Sequence, residues 1–122
     1  YNMPVAGSSF LFDRDWLASN PEVARRFIKS SVEAIALLKN DKQAAFRAME
    51  KWFQITDPEL REHFYREAAK LPSKPYPPVA GIRKAMAIYD SHEMRKYTAE
   101  HFYDDSIMRK LDESGYIDSL YE

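Results

Sequence analysis

The sequence predicts a mainly α-helical fold, with about five helices and one N-terminal strand. Two observations carry this. Helix-start signals recur along the chain, each followed by apolar residues three or four apart, and only one segment reads as a strand. The expected organisation is a single segment: a strand over 1–12, helices over 13–71, a proline-rich connector over 72–78 and C-terminal helices over 79–122.

The strand is expected over residues 5–12, where Val-Ala-Gly-Ser-Ser-Phe-Leu-Phe is small and apolar and ends in three large side chains. A lone strand leaves backbone N–H and C=O groups unpaired. This segment is therefore expected to pair with further sequence or with a second copy. Asp13 then caps a short turn through Trp16 and Leu17. Asn20-Pro21-Glu22 is the strongest helix start: Asn20 offers a side-chain acceptor, Pro21 fits the first helical position, and Glu22 suits the positive end of the dipole. Val23, Phe27, Ser31, Ile35 and Leu38, widened by Ile28 and Val32, make a broad stripe, so the helix is expected to be well buried.

Asn40 and Asp41 close this helix and open the next, which runs from Lys42 to Phe53 with Ala45, Met49, Trp52 and Phe53 inward. The third helix starts at Thr56-Asp57-Pro58-Glu59, where Thr56 and Glu59 have capping-box spacing and Asp57-Pro58 repeats the cap-then-proline start, and carries the stripe Leu60, Phe64, Ala68, Leu71. Four prolines in Pro72–Pro78 exclude a helix and read as a stiff connector. A fourth helix is expected over 79–91, with Val79, Ile82, Met86 and Tyr89 on one face. Residues 92–103 show no period. A fifth begins at Asp104 or Asp105, carries Ile107, Met108 and Leu111, and ends at Gly115. Tyr116, Ile117, Leu120 and Tyr121 form a last apolar turn.

Composition narrows the function. Eighteen basic residues nearly cancel 19 acidic ones, leaving a net charge of −1, without the basic face that phosphate binding needs. No nucleic-acid partner is expected. Cysteine is absent, so disulfides, thiolate metal sites and a cysteine nucleophile are excluded. No run reaches the roughly 20 apolar residues of a membrane span.

His63, His92 and His101 lack the i, i+4 spacing of a helical zinc site. The pair Asp104-Asp105 fits a helix start better than a cation site. The three glycines build no phosphate loop, and no base, nucleophile and oxyanion set assembles. No catalytic residue, metal or cofactor is expected. The polar spot that remains is Gly7, Ser8 and Ser9, small residues whose hydroxyls could approach a ligand at a strand end.

The order of these elements resembles a known family. The apolar strand leads into Asp13-Arg14-Asp15-Trp16-Leu17, then Asn20-Pro21-Glu22-Val23-Ala24-Arg25-Arg26-Phe27, with Val32-Glu33-Ala34-Ile35, Ile55-Thr56-Asp57-Pro58-Glu59, the connector before Val79-Ala80-Gly81-Ile82, and the tail Asp105-Ser106-Ile107-Met108 to Leu111–Gly115. This series is similar to the C-terminal portion of the periplasmic substrate-binding proteins of ABC importers, of the nitrate, sulfonate, taurine and thiamine-precursor type. The resemblance implies a two-lobed α/β fold of the type 2 periplasmic-binding class, of which this chain supplies only a part. It implies capture of a small-molecule solute, delivery to an ABC permease, and a periplasmic or extracellular, free or lipid-anchored, location. Most cleft residues of such a protein would lie upstream. The chain opens on Tyr1 with Met3 two residues on, and so reads as the middle of a longer protein. Of its own positions only Gly7, Ser8 and Ser9 are candidates for ligand contact. Two other readings are a free-standing helical interaction module gripping a partner through Trp16, Trp52, Phe53 and the aromatic tail, and a small enzyme, for which no residues assemble. A fragment lacking its sheet is also expected to self-associate through residues 5–12.

Overall fold

The computed structural model describes residues 9–122. Among these all regular structure is helical, without a strand: α1 (Arg14–Ser19), α2 (Pro21–Asn40), α3 (Lys42–Phe53), α4 (Pro58–Ala68), α5 (Val79–Ile88), two 3-10 turns (Met94–Lys96 and Ala99–Phe102), α6 (Ser106–Glu113) and α7 (Tyr116–Ser119). The main core lies where α2 meets the C-terminal pair. Val32, Met108, Leu111 and Ile117 are buried together, with Ile28, Ile107, Tyr116 and Leu120 packed around them. The Asn40 Nδ2 donates to the Leu120 carbonyl at 2.9 Å, and Tyr116 donates its O–H to Glu33 while Lys29 lies 4.5 Å over its ring.

Local chemistry sets the helix boundaries. The Asp13, Asp41 and Asp57 carboxylates accept from Trp16, Ala44 and Leu60 N–H, each at 2.8 Å, satisfying donors that an open first turn leaves free. Pro21 and Pro58 stand in first turns. Gln54, at φ 56°, ends α3 in the left-handed region, and Gly115, at φ 74°, turns the chain between α6 and α7.

Several expectations are corrected. The strand expected over 5–12 lies partly outside the described residues. Over residues 9–12 there is no strand, because Phe10 and Phe12 both turn onto Phe27 of α2, with centroids at 4.7 and 5.8 Å. Their two-residue spacing puts them on one side of the segment, and a helix rather than a sheet receives them. Asn20 does not cap α2 with its side chain. Its Nδ2 donates to the Trp16 carbonyl at 3.0 Å, closing α1, and only its carbonyl receives the first bonds of α2. Of the two caps expected before α4, Asp57 forms, accepting from the Leu60 N–H, and the Thr56 box does not. The fourth helix stops at Ile88, three residues early, and residues 92–103 form the two 3-10 turns.

The buried faces are also narrower than expected. On α2 the inward line is Ala24, Val32 and Ala36, whose small alanines let backbones approach closely, while Val23 and Phe27 remain about half exposed. On α3 Ala45 and Met49 are buried, but Trp52 and Phe53 face solvent. The α4 stripe is turned outward, and the α3–α4 contact is made by Phe46 on Tyr65, edge to face at 5.8 Å, with Arg61 over Phe46.

Candidate binding surface

Of the expected site residues, Gly7 and Ser8 lie outside the described residues. Ser9 is exposed beside Phe10 and lines neither of two surface depressions. One depression, of about 210 Å³, lies between Met86, Ala87, Asp90, Met94, Arg95 and Tyr97. The other, of about 460 Å³, is bordered by Pro58, Glu59, Glu62 and Arg66. Both are shallow and open. The polar groups of the first are committed to each other, since Arg95 grips Asp90 through two hydrogen bonds of 2.8 and 2.6 Å and holds that carboxyl below its usual pKa.

The other polar clusters work on the fold. Thr98 N–H donates to His101 Nδ1 at 3.1 Å, closing the second 3-10 turn. Asp104 accepts from Ser106 N–H at 2.8 Å, and the Ser106 hydroxyl and amide hold its carboxyl low. Asp105 makes no side-chain cap to α6 and instead pairs with Arg109 at 2.7 Å. Lys74, in the connector, sits between Asp112 of α6 and Asp118 of α7 at 2.7 and 2.8 Å, while Tyr76 O–H donates to Asp112 at 2.7 Å. These bonds lower the Asp112 pKa and raise those of Lys74 and Tyr76. Among the described residues no three His, Asp or Glu side chains gather to hold a metal ion, and no helix is long and apolar enough to cross a membrane.

The distinctive property is the amount of surface. A compact monomer of 14.3 kDa exposes about 6,800 Å² by surface-to-mass scaling, whereas this chain exposes 9422 Å². The eight residues outside the described range account for at most about 1,200 Å² of this even if fully solvated, which leaves an excess of about 1,400 Å². Large apolar side chains contribute to the exposed surface. Trp52 and Phe53 are 72% and 73% exposed at the end of α3, and Ile88 and Tyr89 are largely exposed at the end of α5. Phe10, Trp16, Val23 and Phe27 form a third patch on α1 and the start of α2, tied together by Phe12, which stacks on Trp16 at 5.8 Å. Composition and periodicity flagged Trp16, Trp52 and Phe53 as aromatics; the exposure of Ile88 and Tyr89 had no comparable signal.

Comparison with known proteins gives no match: no family model fits the sequence, and no curated protein or solved structure is significantly similar.

Proposed function

We propose that this chain is the helical C-terminal part of a solute-binding protein that captures a small molecule and delivers it to the permease of an ABC importer. The observation that carries the reading is the ordered series from Asp13 to Gly115 described above, in which the quoted Asn20-Pro21-Glu22 and Asp57-Pro58-Glu59 steps coincide with the starts of α2 and α4. The exposed apolar surface supports it. A helical section that packs against two α/β lobes has faces that are uncovered when it stands alone. The chain performs no chemistry in this reading. Solute is held between the lobes, with Gly7, Ser8 and Ser9 as its contacts on this segment, and hinge closure signals to the permease. The parent protein works in the periplasm or outside the cell, free or lipid-anchored.

Trp52 and Phe53 favour a second reading, a helical module that grips a protein partner, because a side-by-side pair of large exposed aromatics is a common anchor of interfaces. Fractionation of the source cell with an antibody against this segment separates the two. An exported species of about 300 residues, the size of two ordinary domains, is expected. A native cytoplasmic product near 14.3 kDa refutes transport and leaves the module.

A further inference from the structure

We infer that the aromatic face of α1 and the start of α2 is a self-pairing surface, through which two copies of this chain form a two-fold dimer. The inference concerns the chain alone and holds whether or not a larger parent covers the same face.

The face is contiguous. Phe10 and Phe12 meet Phe27, Phe12 stacks on Trp16, and Val23 lies one turn before Phe27 on the same side of α2. Phe10, Trp16, Val23 and Phe27 are 58%, 41%, 53% and 45% exposed. At roughly 200 Å² for each large side chain, they present about 400 Å² of apolar area to solvent. Non-obligate interfaces are a little over half apolar, so a patch of this size corresponds to about 700 Å² per partner and about 1,400 Å² in all. That lies inside the range of specific protein–protein interfaces.

Charge selects the occupant. The exposed ionic residues on α1, its cap and the first turns of α2 are Asp13, Arg14, Asp15, Glu22, Arg25 and Arg26, three acids and three bases. Such a neutral set gives no attraction to a nucleic acid or an anionic membrane, both of which need a single positive sign. In an isologous dimer each patch meets its own copy. A rim of one sign would repel itself, and this rim does not. Arg25 and Glu22 pair at 2.8 Å and the Asp13 carboxylate holds the Trp16 N–H, so half of the six ionic groups already have partners within their own chain.

Sedimentation velocity from about 1 to 200 µM tests the inference. A reversible dimer of twice 14.3 kDa is expected. Phe10→Glu with Phe27→Glu should raise its dissociation constant at least tenfold, and Trp52→Glu with Phe53→Glu should leave it unchanged. If the first double variant loses helical circular dichroism, Phe10→Glu alone decides, since Phe10 lies outside every helix. Because the chain has no cysteine, a spin label at Ala18→Cys reports geometry, and a label-to-label distance below about 50 Å is expected for dimers built on α1. A monomer throughout the range, a dimer indifferent to Phe10 and Phe27, or a dimer lost through Trp52 and Phe53 overturns the proposal.

Discussion

Replacing Ile117 by alanine puts the main core on trial. Ile117 is fully buried against Val32, Met108 and Leu111, although α7, which carries it, is only four residues long. The helix has too few internal hydrogen bonds to persist alone, so its docking rests on this side chain. Ile117→Ala removes three carbons, about 2.4 kcal/mol at roughly 0.8 kcal/mol for each buried methylene. A cavity of about 50 Å³ adds about 1 kcal/mol at roughly 24 cal/mol per Å³. The expected loss is about 3.5 kcal/mol. For 122 residues the unfolding entropy is about 0.26 kcal/mol/K, so the melting temperature should fall by about 13 °C. Urea unfolding followed by far-ultraviolet circular dichroism measures the loss directly, with Leu37→Ala as control. Leu37 is 56% exposed on α2, and its truncation should stay within about 0.5 kcal/mol of the parent. A loss below about 1 kcal/mol for Ile117→Ala, or equal effects at the two positions, would refute the placement of the core.

Asp57→Ala should cost about 1 kcal/mol, because its carboxylate holds the Leu60 N–H, while Thr56→Ala should be nearly silent; the reverse order in chemical denaturation would restore the capping box. Gly115→Ala meets open space but keeps φ at +74°, so it should destabilise by about 1–2 kcal/mol through backbone strain alone, and Gln54→Gly, at φ 56°, should stabilise by about 0.5–1 kcal/mol. Lys74→Met should lower the unfolding midpoint at pH 7 and low salt. The folded Asp112 pKa is depressed by Lys74 and by the Tyr76 hydroxyl. Its contribution is therefore present above the unfolded carboxylate pKa, about 4, and is lost as pH falls through the lower folded value. The gap between parent and variant should close in acid and narrow in 1 M salt. A gap independent of both would mean that the Lys74 pairs contribute nothing.

The legible parts of this fold are those written in neighbouring residues. Asp41 before α3, Asp57-Pro58 before α4 and Gly115 after α6 act within one turn, so the helices could be placed from sequence to within a few residues. Inward faces were less legible. The α2 stripe spans about half the helix circumference, and its width does not tell which edge meets α6 or which receives Phe10 and Phe12. That choice depends on partners far along the chain. Trp52 and Phe53 continued the period of Ala45 and Met49 and were expected inside, yet α4 meets α3 through Phe46 and Tyr65 instead. Over residues 92–103 a signal existed in Thr98 and His101, where a histidine three residues on takes the place of the usual Glu or Gln of a reciprocal cap. In the candidate site, Gly7 and Ser8 lie outside the described residues, and exposed Ser9 shows what its neighbours Phe10 and Phe12 do rather than what a ligand would meet. Of the exposed aromatic faces, Trp16, Trp52 and Phe53 were named only under the interaction-module reading, and Ile88 and Tyr89 had no signal, since exposure is what remains after every partner is chosen.

The joining of Val32 to Ile117 has a consequence for synthesis. The pairs α2 with α3 and α3 with α4 close over short stretches and can form as soon as their residues emerge from the ribosome. The main core must wait for a segment made 85 positions after Val32, and loop-closure entropy slows its capture. Throughout that interval the nascent chain carries Ile28 and Val32 bare, along with the aromatic faces that its own folding does not cover. A ribosome stalled before Ser106 would hold an apolar helix without its lid, and chaperones that bind apolar segments would meet it first.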